Sequence, residues 1–141
     1  MSKISQGQIV QFRHDLRHFT RWIDKINKAS CHQEINVAQC HIMMELGAQS
    51  SMTVNELSEQ MRLDKSTISR QVESIVYSEV ATRIPNKEDR RKVAVSLSKK
   101  GRKLYNQINK EMDENFASAF AGIPSADIDT FLSVFSKLSH P

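Results

Sequence analysis

The chain has 141 residues, of which 39% are hydrophobic and 26% charged, and its formal net charge is +4. This composition predicts one globular domain with its own core and excludes a disordered or fibrous protein. The low content of 4 glycines and 3 prolines disfavours an all-β fold with many tight turns. The longest stretch without a charged residue, 115–126, is too short for a membrane span, and no secretory leader pattern opens the chain. We therefore expect a cytoplasmic protein that does not enter a membrane.

Apolar residues at helical spacing predict a first helix over 4–28. A break follows, and Asn36 with Gln39 forms a capping box at the start of a second helix. Gly47 is a suitable residue to end that helix.

A second capping box, at Thr53 and Glu56, predicts a short third helix that ends near Met61. After a tight connection, Asp64 is positioned to cap a fourth helix that reaches about Val80.

The apolar period then changes from helical spacing to alternation, which predicts short strands over 81–84 and 93–97. Residues 85–92 between them are strongly charged and are typical of a hairpin tip. Ser98 caps a long fifth helix, and Ser125 caps a final one.

Two helices joined by a tight turn, the second polar on its outer face, predict a helix-turn-helix unit. Small hydroxyl side chains allow a helix to lie deep in the major groove, and an arginine can reach a guanine edge or a phosphate. The competing interpretation is an ordinary solvated helix face. The candidate DNA-binding residues of this helix are Lys65, Ser66, Thr67, Ser69 and Arg70.

The charged hairpin directly after this unit is typical of a wing. Residues 83–103 contain nine basic and two acidic residues, a net charge of +7, so the remainder of the chain carries −3. A wing arginine can enter the minor groove, where the negative potential is strongest over A·T-rich sequence. The spacing of Asp89 and Arg91 allows both to lie on one face of the strand, where the carboxylate can hold the guanidinium extended. Arg90 is a third candidate DNA-binding residue of the wing.

The segment Asp64-Lys65-Ser66-Thr67-Ile68-Ser69-Arg70, followed by residues 89–101, resembles the multiple antibiotic resistance regulator (MarR) family of winged helix-turn-helix proteins. The family's wing pattern is Asp-x-Arg, three residues, Val-x-Leu-Ser/Thr, two residues and Gly, and it is matched throughout. One departure is that Ser78-Glu79-Val80-Ala81 lacks the glycine that often precedes the first wing strand. That departure predicts a tighter or more helical junction.

The resemblance implies a mainly α fold with a small β-hairpin wing, spread over a single chain of residues 1–141. It places a winged helix-turn-helix lobe at 36–100 and dimerisation helices at 1–30 and 101–141. It also implies a homodimer on a pseudo-palindromic operator in double-stranded DNA, with Arg91 in the minor groove. The expected function is a sequence-specific transcriptional regulator, a repressor released by a small molecule, thiol oxidation or a metal. The alternative is a winged-helix module that binds protein and does not bind DNA specifically.

The resemblance further implies an effector pocket, with candidate lining residues Phe19, Trp22, Met43 and Met44. Aromatic and Met side chains at helical spacing are also ordinary core residues. His14 and His18, one helical turn apart, have a ligand or a metal as one interpretation and a plain surface pair as the other.

Two cysteines, Cys31 and Cys40, are each followed by a histidine, His32 and His41. These are ligand types that zinc prefers, but the spacing fits no standard zinc motif, and we assign no metal site and no cofactor. The alternatives are a thiol sensor and a pair of unremarkable thiols. We expect no enzyme, because the chain has no Gly-rich phosphate loop, no His-Glu-x-x-His and no Gly-x-Ser-x-Gly.

Overall fold

The computed structural model describes residues 3–30, 35–89 and 91–140. The element order is α1 (Gln6–Ser30), α2 (Val37–Ala48), β1 (Met52–Thr53), α3 (Val54–Met61), α4 (Lys65–Tyr77), β2 (Ala81–Pro85), β3 (Val93–Leu97), α5 (Lys99–Ala119) and α6 (Ser125–Ser139). This mainly helical fold with a small antiparallel sheet confirms the expected fold class. Among the described residues, no helix is both long and apolar enough to cross a bilayer.

At the start of α2, α3 and α5, polar side chains satisfy backbone N–H groups that have no partner within the helix. The predicted cap at Ser125 is wrong, because Pro124 is the N-cap of α6 and forms no side-chain cap bond. Asn36 and Gln39 form the full reciprocal capping box of α2, as predicted. Thr53 accepts a hydrogen bond from the Glu56 backbone N–H at 3.1 Å and so caps α3. Ser98 caps α5 by accepting from the Gly101 N–H at 3.0 Å.

The sheet has the strand order β1-β3-β2, and both pairings are antiparallel. Ala81 pairs with Leu97 and Pro85 with Val93, so β2 and β3 form the predicted hairpin in full register. The two-residue strand β1, which we did not predict, adds Met52 opposite Val95. The wing is thereby anchored to the segment that leads into α3.

The core lies inside the winged lobe and draws on every element from α2 to α5. Its fully buried side chains come from four helices, the β2 junction and β3: Ile42, Met43, Leu46, Leu57, Ile68, Val72, Ile75, Val80, Val95 and Ile108. The helix α1 packs against α5, outside this core.

The junction between α4 and β2 is a Schellman turn without glycine. Glu79 has a φ of +64°, in the left-handed region that glycine adopts without strain. The Val80 N–H donates to the Ile75 carbonyl at 2.9 Å and the Glu79 N–H to the Val76 carbonyl at 3.0 Å. The missing glycine therefore leaves the turn intact, with a strained glutamate in its place.

The first turn of α5 lies directly against this junction. The Ser98 N–H donates to the Val80 carbonyl at 3.0 Å. A Cβ on Gly101 would lie 1.9 Å from the same carbonyl oxygen. The glycine that ends the wing pattern is thus required by close approach of two backbones.

Candidate nucleic-acid interface

In the turn between α3 and α4, the backbone of Arg62 adopts the left-handed conformation, with a φ of +54°. The Leu63 N–H donates to the Ser58 carbonyl at 3.2 Å, and the Ser58 hydroxyl donates back to the Leu63 carbonyl. These bonds close the end of α3 and set the direction in which α4 leaves. The two helices therefore form the predicted helix-turn-helix unit.

The predicted residues of α4 lie in its first two turns. The inner face is fixed by Ile68, Val72 and Ile75, which are fully buried. Thr67 is half-buried, and the other candidates are exposed: Lys65, Ser66, Ser69 and Arg70. The exposed side is thus rich in small hydroxyl groups, with a cation in each turn.

Asp64 stands at the N-cap of α4 with an extended backbone, but its side chain does not form the usual cap bond. Its carboxylate accepts a hydrogen bond from the Ser66 hydroxyl at 2.9 Å. Side-chain hydrogen bonds from Thr67 and then Ser66 lower the pKa of Asp64 below its ordinary value of 3.8. The carboxylate consequently orients two hydroxyl groups on the candidate surface.

The wing tip is ordered by its own backbone and one amide side chain. The Asn86 Oδ1 accepts from the backbone N–H of Glu88 at 2.9 Å and of Asp89 at 3.3 Å. The Asn86 N–H donates to the Lys92 carbonyl, and the Lys92 N–H to the Asp89 carbonyl, each at 3.0 Å. These bonds close the tip, and the side chains of Lys87, Glu88 and Arg91 are exposed.

Asp89 and Arg91 are in contact as expected, but both precede β3 and do not lie on one face of the strand. The Arg91 backbone N–H donates to the Asp89 Oδ1 at 3.0 Å, and the Arg91 Nε lies 3.6 Å from the same oxygen. The Arg91 side chain is 94% exposed, so the ion pair adds little stability but restricts the direction of the guanidinium. Arg90 lies outside the described residues.

A groove of about 410 Å³ separates the base of the wing from the start of α3. Its lining comes from two short segments, Thr53–Glu56 and Arg91–Val93. The closeness of these two segments was not predicted from the sequence. It depends on the pairing of β1 with β3, and a strand of two residues has no periodic pattern.

The terminal helices enclose a second cavity, of about 680 Å³, between α1, the end of α5 and α6. All six phenylalanines of the chain line it: Phe12, Phe19, Phe116, Phe120, Phe131 and Phe135. Other apolar side chains of α6, such as Leu132 and Leu138, are more than half exposed.

The four candidate effector residues separate into two groups. Phe19 lines the cavity, and Trp22 stacks on it with ring centroids 5.5 Å apart. Trp22 also meets Phe116 edge-on at 5.3 Å. Met43, in contrast, is fully buried in the core of the lobe, and Met44 packs against that core. The four residues therefore do not line one cavity.

Of the two cysteine candidates, the structure describes Cys40. Cys40 is 4% exposed and belongs to the hydrophobic core, whereas His41 is exposed. Cys31 and His32 lie outside the described residues. Within 3–30, 35–89 and 91–140, no group of three or more His, Cys, Asp or Glu residues is arranged to hold a metal ion.

Comparison with known proteins connects this geometry to a family. A family model described as the MarR family matches residues 35–93. An HTH-type transcriptional regulator of Bacillus subtilis, YpoP, is 28% identical over 106 residues, which are 75% of each chain.

Solved structures share the fold over nearly the whole chain. A MarR family protein from Bacillus stearothermophilus has a TM-score of 0.84 at 18% identity, covering 97% of this chain and 96% of that one. Streptococcus pneumoniae FabT in complex with DNA has a TM-score of 0.79 at 16% identity, covering 96% and 95%.

Proposed function

We propose that this chain is a transcriptional regulator of the MarR family, a homodimeric repressor that binds a pseudo-palindromic operator. The observation that carries the proposal is Arg91, whose side chain is 94% exposed on the wing, with its Nε 3.6 Å from the Asp89 carboxylate. FabT, a protein of this fold, has been seen bound to DNA.

In this proposal α4 reads the major groove. The exposed serines allow close approach, and Arg70 supplies a donor for a guanine edge or a phosphate. Lys65 and Ser66, in the first turn, are placed for the phosphate backbone, where the helix dipole favours an anion. Thr67 and Ser69 complete the candidate set.

The wing inserts into the neighbouring minor groove. A narrow groove over A·T-rich sequence attracts a guanidinium without demanding base-specific hydrogen bonds. Asp89 limits the directions that Arg91 explores, so less conformational freedom is lost when the arginine binds. Because residues 83–103 carry a net charge of +7, we expect DNA affinity to fall steeply with salt.

A second copy of the chain covers the apolar surface of the terminal helices. None of the residues of α6, all of which are described, is buried within one chain, although Phe131, Leu132 and Phe135 lie on it. Obligate interfaces resemble a domain core, and two-fold symmetry is what an operator with two half-sites requires.

The releasing signal belongs to one of three classes: a small molecule, thiol oxidation or a metal ion. The aromatic cluster of Phe19 and Trp22 supports the first, because aromatic walls suit an apolar ligand. Cys31 is the candidate for the second, since Cys40 is buried in the core and poorly accessible to an oxidant.

The test is a DNA titration at fixed salt with an operator fragment. We expect Arg91→Ala and Arg70→Ala each to weaken binding by about 1–3 kcal/mol, the usual worth of a specific arginine contact. Arg17→Ala is the control, because it removes one exposed positive charge from α1. Unchanged affinity in both test variants would overturn the assignment of these residues.

The variant Asp89→Ala tests whether Asp89 acts by positioning Arg91 or only through its own negative charge. Removal of a carboxylate near phosphate should raise DNA affinity if only Coulomb forces matter, whereas loss of the Arg91 contact should lower it. We expect a net loss, smaller than that of Arg91→Ala. A gain in affinity would show that Asp89 does not position the arginine.

A further inference from the structure

Two histidines of α1 face each other on the solvent side of the helix. The ring centroids of His14 and His18 are 4.5 Å apart, with 51° between the ring planes. Residues four apart lie one above the other on a helix, so a rigid backbone holds this pair together. Nothing in the proposed DNA-binding function uses it.

Asp15 sets the protonation pattern of the first ring. Its Oδ1 lies 3.1 Å from the Nδ1 of His14, and the Gln11 Nε2 donates to both carboxylate oxygens, at 2.9 and 2.8 Å. A carboxylate accepts, so a hydrogen bond from His14 to Asp15 uses the Nδ1–H and leaves the Nε2 lone pair for a metal ion.

The pair lies away from the surface that we assign to the dimer. At about 100° per residue, the histidines lie roughly 150° around the helix from the apolar stripe. That stripe consists of Phe12, Leu16 and Phe19, which line the cavity between the terminal helices. Pairing of two chains through the stripe therefore leaves both imidazoles accessible.

We propose that His14 and His18 chelate one divalent late first-row transition ion, with Asp15 as the positioning residue. Imidazole nitrogen suits Zn²⁺, Cu²⁺ and Ni²⁺, whereas Mg²⁺ and Ca²⁺ require oxygen ligands. Metal–nitrogen bonds of about 2.0–2.1 Å to one shared ion require the two rings to lie close together, as they do here.

The arrangement matches a recurring way of holding zinc, in which two histidines four apart on one helix face share the ion. A carboxylate that accepts from the other nitrogen of a ligating imidazole fixes the ring and raises its basicity. Two imidazoles do not fill the coordination of the ion, so water occupies the other positions. The resulting site is open and solvent-facing.

The experiment is a titration of the full chain with Zn²⁺ at neutral pH, in which isothermal calorimetry measures the binding. We expect one site per chain, and we expect His14→Ala and His18→Ala each to lower affinity at least tenfold. His140→Ala, at the exposed end of α6, is the matched control and should bind as wild type. Cys31→Ser should also bind as wild type, which separates this site from the cysteine candidates.

Asp15→Asn tests the positioning role. We expect a loss of about tenfold in Zn²⁺ affinity, at the lower end of the effect of such outer partners. We also expect the His14 tautomer to shift toward Nε2–H, as read by nitrogen NMR of the imidazole.

Three results would overturn the proposal. They are wild-type Zn²⁺ binding by His18→Ala, loss of binding in Cys31→Ser, and a dissociation constant weaker than roughly 1 mM for the wild type. The site does not depend on the DNA-binding proposal, because every readout is taken without DNA.

Discussion

Replacement of Glu79 by glycine should stabilise the protein. Glu79 holds a φ of +64° in the Schellman turn between α4 and β2, where a side chain is strained against its own backbone. Both hydrogen bonds of the turn use backbone atoms, and its flanking residues Ile75 and Val80 are fully buried in the core. The Glu79 carboxylate is exposed and takes no part in these hydrogen bonds or in the core. The substitution therefore removes the backbone strain and keeps the turn.

The magnitude follows from two opposing effects. A left-handed conformation costs a residue with a Cβ about 1–2 kcal/mol. The greater conformational entropy of glycine in the unfolded chain reduces this gain in stability by about 0.4–1 kcal/mol. We expect a net gain of about 0.5–1 kcal/mol, which for a chain of this length is a rise of about 1–4 °C in Tm.

Thermal and urea denaturation, at one fixed protein concentration, measure the effect, since dimer stability varies with concentration. Glu79→Ala is the matched control, because it removes the same charge but keeps the Cβ and hence the strain. We expect it to lie within about 0.5 kcal/mol of wild type. Equal stabilisation by alanine and glycine would show that charge, and not the backbone angle, is responsible.

Three further substitutions test other parts of the structure. Gly101→Ala should destabilise by about 1–3 kcal/mol in urea, since its Cβ would meet the Val80 carbonyl at 1.9 Å; an unchanged midpoint would contradict that close approach. Gln39→Ala should cost about 1–3 kcal/mol, because the buried amide donates to the Ser74 hydroxyl at 2.6 Å and ties α2 to α4. A double-mutant cycle with Ser74→Ala should show a coupling energy above about 0.5 kcal/mol. If the two changes in unfolding free energy simply add, the hydrogen bond between Gln39 and Ser74 does not contribute to stability. Leu132→Glu should convert a dimer to monomers in analytical ultracentrifugation with helix content retained, and a stable dimer would exclude this face.

The wing could be predicted from the sequence because the patterns that indicate it lie within a few consecutive residues. Alternation of Val93, Val95 and Leu97 marks one strand, and a charged tip separates it from the other, so both strands were predicted to within one residue. The contact between Asp89 and Arg91 followed from their spacing and is confirmed, although its role in binding DNA stays a prediction.

Features that depend on pairing at a distance were missed. Met52 is a strand residue only because Val95 lies opposite, and two residues carry no period of their own. Glu79 adopts a conformation that its residue type disfavours, because buried neighbours and the start of α5 fix the turn. Met43 was a candidate pocket residue because its spacing suits either role, and only packing assigns it to the core.

The single tryptophan of the chain is Trp22, which lies between the rings of Phe19 and Phe116 and has no counterpart in the winged lobe. Its emission is therefore a local probe of the contact between α1 and α5. Circular dichroism, in contrast, averages over all the helices. If the terminal helices separate before the lobe unfolds, the two signals will have different midpoints in one denaturation experiment. Coincident midpoints would indicate that both regions unfold as one cooperative unit.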